Sequence, residues 1–260
     1  MSFFEKDLAL AKKAALKAGE AVMRYFKSSN YEIKDKGVNN PVTTADFEAN
    51  SIIKDILINN DTSYGWLSEE TVDSQERVKK ENVWVVDPID GTKEFIEGVP
   101  HFSISIGMVS KGEPVVGVIY NPAKNELFTA CSGGGSKLNG EPINCLSKNN
   151  ERTIMVSRSE IKRGMWDAYK KIFLDIIPVG SVAYKLGLIA AGRSNLFATL
   201  QPKNEWDVCA GNCIINEAGG NLLDLYGNER LYNSVDTKIS PGLIAGHSNY
   251  VLQALEAINI

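Results

Sequence analysis

Val83-Trp84-Val85-Val86 runs without a break into Asp87-Pro88-Ile89-Asp90-Gly91-Thr92. Four such apolar residues read as a short buried strand, so the chain must build a sheet whose end delivers two carboxylates. Pro88 has no N–H to give to a ladder and is expected to end the strand. The turn that follows lets Asp87 and Asp90 point to the same side. Gly91 allows close backbone approach, and Thr92 opens a helical turn whose free N–H groups can bind phosphate oxygens. Acids beside an anion-binding turn make chemical sense when a cation joins them.

Further acidic segments supply what this one lacks. Glu69-Glu70 follows the short strand at Trp66-Leu67, and Asp207 starts a helix, where the dipole favours negative charge. Asp46, after Thr43-Thr44, stands at the start of another helix. Taken singly, these are ordinary turn residues, a solvated acidic pair and helix-capping acids. Their combination is not ordinary. All-oxygen ligands suit a hard cation such as Mg²⁺, Ca²⁺ or Mn²⁺. With only His101 and His247 in the chain, a histidine-rich metal centre is excluded. The acids do not share one short loop, which argues against an EF-hand. Metals held by shared carboxylates about 3.5–4 Å apart clamp the attacking and leaving oxygens of phosphoryl transfer. A catalytically silent binding module is the non-enzymatic alternative.

The 260 residues, 43% of them hydrophobic, suffice for a full core without disulfides. A net charge of −4 leaves no electrostatic footprint for a nucleic-acid polymer, but does not exclude a small anionic substrate, because bound cations reverse the local field. Cys131, Cys145, Cys209 and Cys213 form no CxxC pair and are expected as buried free thiols of a reducing compartment. The N-terminal stretch carries Glu5, Lys6, Asp7, Lys12, Lys13 and Lys17, which suits an amphipathic helix and not a signal peptide. With no apolar run approaching a membrane span, a soluble cytoplasmic protein is expected.

Helical spacing predicts helices near residues 5–27 and 46–59, and turn signals separate strands at 102–109, 114–120 and 126–129. From 153 onward strands and helices alternate, with helices expected at 160–173, 181–191, 207–218 and from 249. The fold class is therefore α/β (α+β). Residues 1–150 read as an α+β half with an antiparallel sheet and most metal ligands. Residues 151–260 read as an α/β half with a mostly parallel sheet and substrate-binding elements. The boundary is expected in the polar stretch at 147–152.

With these residues in hand, the chain resembles the inositol monophosphatase superfamily along nearly its whole length. Val86-Asp87-Pro88-Ile89-Asp90-Gly91-Thr92 matches that family's first signature, and Trp206-Asp207-Val208-Cys209-Ala210-Gly211 followed by Glu217-Ala218-Gly219-Gly220 its second. The resemblance implies a layered α-β-α-β-α sandwich of the inositol monophosphatase and fructose-1,6-bisphosphatase type. It also implies Mg²⁺-dependent phosphomonoester hydrolysis with two or three ions per site, Mn²⁺ as an alternative, and inhibition by Li⁺ and Ca²⁺. Carried over by motif, Glu69, Asp87, the Ile89 carbonyl, Asp90 and Asp207 are metal ligands, with Glu69 also counted in the catalytic set. Asp46 and Thr92 are the pair that orients and deprotonates the attacking water, and Gly91 and Thr92 hold the phosphate. A homodimer is a further implication.

Within the superfamily, Asp90-Gly91-Thr92-Lys93-Glu94-Phe95 looks like the 3′(2′),5′-bisphosphate nucleotidase branch, which hydrolyses 3′-phosphoadenosine 5′-phosphate to AMP. Ser157 and Ser159, Gly180 and Ser181, and Lys185 look like that branch's nucleotide-binding stretches. Lys93 and Lys185 are the candidates to meet a second phosphate. Inositol-selective members carry a Glu where Thr199 or Leu200 stands here, and an apolar residue cannot accept ring-hydroxyl hydrogen bonds. Glu205, in the unassigned segment 201–205, could itself contact a sugar hydroxyl. Inositol or another polyol phosphate is the alternative substrate.

Overall fold

The computed structural model describes residues 4–28, 30–37, 41–58, 61–146 and 153–258. The boundary expected at 147–152 falls outside them. In α1 (Glu5–Tyr25), Ala11, Ala14, Ala15, Ala18 and Val22 form one buried stripe whose small side chains let α2 (Thr44–Leu57) lie against it. An antiparallel pair, β1 (Ile33–Asp35) and β2 (Pro41–Thr43), precedes α2.

These helices cover one face of a seven-stranded sheet. Its strands lie in chain order: β3 (Gly65–Ser68), β4 (Asn82–Asp90), β5 (Ser103–Ser110), β6 (Glu113–Asn121), β7 (Glu126–Cys131), β8 (Ser136–Leu138) and β9 (Glu141–Ile143). β3 and β4 pair parallel, and the other pairs are antiparallel. β4 runs on through Pro88, against the expectation that the missing N–H would end the strand. The strand is paired through Asp87, shifts register, and pairs again at Asp90 opposite Ser103. An irregularity of this kind accommodates the proline and re-aims side chains. α3 (Thr92–Ile96) follows directly.

In the second half, β10 (Thr153–Ser157), β11 (Asp175–Val179), β12 (Leu196–Thr199), β14 (Gly220–Asp224) and β16 (Leu243–His247) form a sheet in the order β11-β10-β12-β16-β14. β13 (Lys203–Asn204) and β15 (Lys238–Ile239) make a separate antiparallel pair. The sheet is mixed, which corrects the expectation of a mostly parallel one. β10 pairs parallel with β11 and β12, whereas β16 runs antiparallel between β12 and β14. No helix lies between β14 and β16, so the chain returns beside β14 in the antiparallel sense. The helix expected at 160–173 is also broken. α4 (Arg158–Lys162) stops before Gly164, at φ +71, and only a 3₁₀ turn at Asp167–Tyr169 follows.

α5 (Val182–Ala190) and α6 (Glu205–Glu217) lie between the two sheets. Every residue of α5 is buried, as a helix enclosed on both sides requires. Gly107 and Gly117 let α6 approach the seven-stranded sheet closely: a Cβ on Gly117 would lie 2.3 Å from the Ala210 carbonyl oxygen. Cys209 and Cys213 face these glycines as buried free thiols, and Cys131 and Cys145 are likewise free and buried. With α4 and α7 (Ser248–Ile258) against the second sheet, the layers read α-β-α-β-α, as the resemblance implied.

Candidate active site

Strand ends from both sheets converge on a cavity of about 410 Å³. β3 and β4 deliver Glu69, Asp87, Ile89 and Asp90, and α3 adds Gly91, Thr92 and Lys93. From the second half come Ser157 and Ser159 at α4, Gly180, Ser181 and Lys185 at α5, and Asp207 at α6. Asp46 lies outside this lining, behind Thr92, whose hydroxyl it meets.

Oxygen atoms of Glu69, Asp87 and Asp207 lie within 4.8 Å of one another. Burial, followed by the charges of Glu69, Asp90 and Asp207, raises Asp87 well above the usual carboxylate range. Burial and the charge of Asp90 push Asp207 up to about 7. Burial also raises Asp90, although Ser181 Oγ and the Ala183 N–H donate to its Oδ2 at 2.7 and 2.5 Å and oppose the shift. Beside this group, burial pushes Glu70 to about 7, and its buried Oε2 has no hydrogen-bond partner among the described residues. Lys36 joins the cluster from the other side, its Nζ 2.9 Å from Glu69 and 2.7 Å from Glu70. Nothing local in the sequence marked this lysine.

Asp46 occupies the third position of α2 in a capping box: its Oδ2 accepts from the Thr43 N–H at 2.7 Å and the Thr43 hydroxyl at 2.6 Å. The other oxygen faces the Thr92 hydroxyl at 3.2 Å, and that hydroxyl is also 3.1 Å from the Ile89 carbonyl. Burial raises Asp46 to about 6 against these hydrogen bonds. Gly91, at φ +98, opens α3; a side chain there would be strained and would strike the His101 carbonyl at 2.9 Å.

The second wall departs from expectation in two places. Lys185 is fully buried, and its Nζ donates to the Val179 and Ser181 carbonyls at 3.0 and 2.7 Å. It therefore holds the Gly180–Ser181 turn and is not a free phosphate handle, although one N–H remains. Glu205 turns away from the cavity to accept the Asn233 and Ser234 N–H groups at 2.8 and 3.0 Å, so it offers nothing to a sugar. Thr199 donates its hydroxyl to buried Glu160 at 2.5 Å. Lys203, from the segment left unassigned by sequence, lines the cavity instead and opposes the upward shifts of Asp90 and Asp207. Its place four residues before Asp207 was the available clue.

The sequence model of the inositol monophosphatase family matches residues 5–257. The chain belongs to that family. Inositol monophosphatase 2 of Solanum lycopersicum is 35% identical over 238 residues, covering 86% of this chain and 89% of that protein. The crystal structure of extragenic suppressor protein suhB from Bartonella henselae superposes with a TM-score of 0.85 at 28% identity, covering 98% and 99% of the two chains. That of CysQ from Bacteroides thetaiotaomicron, a bacterial member of the same family, gives 0.79 at 30% identity, covering 94% and 98%. The family is one of Mg²⁺-using phosphatases. The donor set here fits such an ion: clustered carboxylates, forced toward protonation by burial and mutual repulsion, are relieved by a hard divalent cation. No described helix is long and apolar enough to cross a membrane.

Proposed function

We propose that this family member is a magnesium-dependent 3′-nucleotidase that converts 3′-phosphoadenosine 5′-phosphate to AMP. The supporting observation is the wall ahead of α6. Where a polyol-selective site needs a carboxylate to accept ring hydroxyls, Thr199 is turned to Glu160, Leu200 is apolar and Glu205 faces the 233–234 backbone. Lys203 lines the cavity in their place, and Lys93 stands beside the phosphate turn. Cations suit a substrate with a second phosphate.

On this reading Glu69, Asp87, the Ile89 carbonyl, Asp90 and Asp207 hold two or three Mg²⁺ ions. When bound, these supply positive charge to the phosphate and lower the pKa of water. Gly91 and Thr92 N–H groups orient the phosphate. The attacking water gives its proton toward Thr92 Oγ1, which lies 3.2 Å from Asp46 Oδ1 and can pass its own proton there. With Asp46 raised to about 6, the carboxylate is mostly ionised near neutral pH and suited to act as a base. Ser181 positions Asp90 through the 2.7 Å hydrogen bond.

The tomato relative's name favours inositol phosphates as a second reading. Comparing kcat/KM for the two substrates with Mg²⁺ decides between them. A charge-assisted contact to the second phosphate is expected to favour the bisphosphate by roughly 10- to 150-fold. Equal or faster turnover of inositol 1-phosphate would reject the nucleotidase reading. Inhibition by Li⁺ and Ca²⁺ is expected under either substrate.

A further inference from the structure

A groove of about 790 Å³ opens beside the catalytic cavity and shares Lys93, Glu94 and Ser159 with it. Four cations (Lys93, Arg158, Lys162 and Arg163) and two carboxylates, Glu94 and Glu97, line this groove. Among the described residues Arg158 alone pairs with these acids, at 3.1 Å to Glu94 and 2.8 Å to Glu97. Gly180 leaves the space that the Glu94 side chain occupies, since a Cβ there would lie 2.4 Å from Glu94 Cγ. The acids that would repel an anion are thus drawn into one clamp between α3 and α4.

The remaining cations are left uncompensated. Lys93 and Lys162 form no ion pair among the described residues, and Arg163 meets only neutral oxygens, the Ser159 carbonyl at 3.1 Å and Gln201 Oε1 at 3.5 Å. Val99, Ile161 and Pro178 line the same groove and offer apolar surface to an uncharged ring. Lys185, the handle expected from sequence, is committed to backbone carbonyls.

The geometry points to this groove as the subsite for the non-reacting phosphate of a bisphosphorylated substrate, with Lys162 and Arg163 as its specificity-determining residues and Arg158 as the clamp that keeps Glu94 and Glu97 from opposing it. The assignment rests on the nucleotidase reading and adds to it the residues that select the second phosphate. A monophosphate reacting at Gly91–Thr92 has no group to place there, so the groove acts on the ratio between substrates.

The test compares wild type with Lys162→Ala plus Arg163→Ala, using 3′-phosphoadenosine 5′-phosphate and inositol 1-phosphate as substrates and the bisphosphate also as a competitor of inositol 1-phosphate. The preference for the bisphosphate is expected to fall about 10- to 100-fold, chiefly through KM, with its inhibition constant rising in parallel. The charge-conserving Lys162→Arg plus Arg163→Lys variant should retain the preference. An unchanged preference and inhibition constant, or equal losses on both substrates, would overturn the subsite. A wild type that turns over the bisphosphate no better than inositol 1-phosphate refutes the nucleotidase reading. The inhibition constant still decides whether the groove binds a second phosphate. Matching thermal melting of the variants shows that the comparison is between folded proteins.

Discussion

α2 and α6 begin alike and serve the site differently. Each opens with a capping box: Thr43 and Asp46 in one, Asn204 and Asp207 in the other. In each the aspartate at the third helical position accepts the N–H of the capping residue, at 2.7 and 2.8 Å. Burial raises both acids, to about 6 and about 7. Their neighbours differ. Asp46 meets the Thr92 hydroxyl, whereas Asp207 lies among carboxylates, close to Glu69 and Asp87. On the proposed mechanism, one local device therefore presents an acid to a proton path and the other presents it to a cation. The cap places the carboxylate, and its surroundings give it a task.

The sharpest way to break this comparison is to neutralise each acid in turn. Asp207→Asn keeps an oxygen for the cap but removes the proposed metal ligand, so kcat/KM should fall by more than the roughly 10- to 100-fold typical of outer-shell partners. The metal-free protein should not be destabilised, because a repelled buried charge is lost. Asp46→Asn should lower kcat by about 100-fold or more, within the range of general-base losses, while Mg²⁺ affinity is retained. Thr92→Val should behave like Asp46→Asn, and the double variant should be little worse than either, since both act on one path. Calorimetric Mg²⁺ titration of the variants checks the distinction; equal loss of Mg²⁺ binding in Asp46→Asn and Asp207→Asn erases it.

A pH series sharpens the same contrast. Asp46, Glu70 and Asp207 have folded-state values of about 6, 7 and 7 against unfolded values of 3.8, 4.5 and 3.8. The folded chain therefore holds more protons than the unfolded one between those limits, and stability falls as pH rises through the window. In chelator, the melting temperature should drop by at least about 2–4 °C from about pH 5 to about pH 8, the shift that corresponds to roughly 1 kcal/mol. Mg²⁺ should restore it more at the higher pH, where fewer protons compete for the carboxylates. A melting temperature that rises across this window without metal would contradict the repulsion assigned to the cluster.

The smallest effect concerns the caps themselves. Thr43→Ala and Asn204→Ala should each cost about 1 kcal/mol of stability, measured by denaturant unfolding. Thr43→Ala should also lower kcat, because the hydroxyl it removes donates to Asp46. Equal stability of wild type and both variants would show that neighbouring packing, and not the cap, positions these acids.

Much of the site was legible because its residues follow strand ends and helix starts with strong local signals. The apolar run before Asp87, the Gly91 turn and the acids of the two helix N-termini are of this kind. Lys36 carries no such signal and Lys203 only its nearness in sequence to Asp207, since a lysine in a polar segment reads the same whether it faces solvent or an active site. Lys185 was misplaced for the converse reason: its motif showed that it lies near the turn, but not that its ammonium ends on the Val179 and Ser181 carbonyls. The expected helix at 160–173 failed at Gly164, past which the Trp166 indole is buried and donates to Glu160 at 2.8 Å. That pairing is tertiary and outweighs helical propensity.

The sequence by itself determined the acids and the helix starts that present them, because periodicity and capping are short-range and written in adjacent residues; the family and its layered fold came from the resemblance of the two motifs, which the structure bears out. Only the tertiary structure decided that β4 continues past Pro88, that β16 reverses one sheet, and that Glu205 and Lys185 are taken up by backbone groups. It also decided that Arg158 gathers Glu94 and Glu97 beside Lys162 and Arg163. Charge interactions depend on distance and burial, and both are set by segments far apart in the chain.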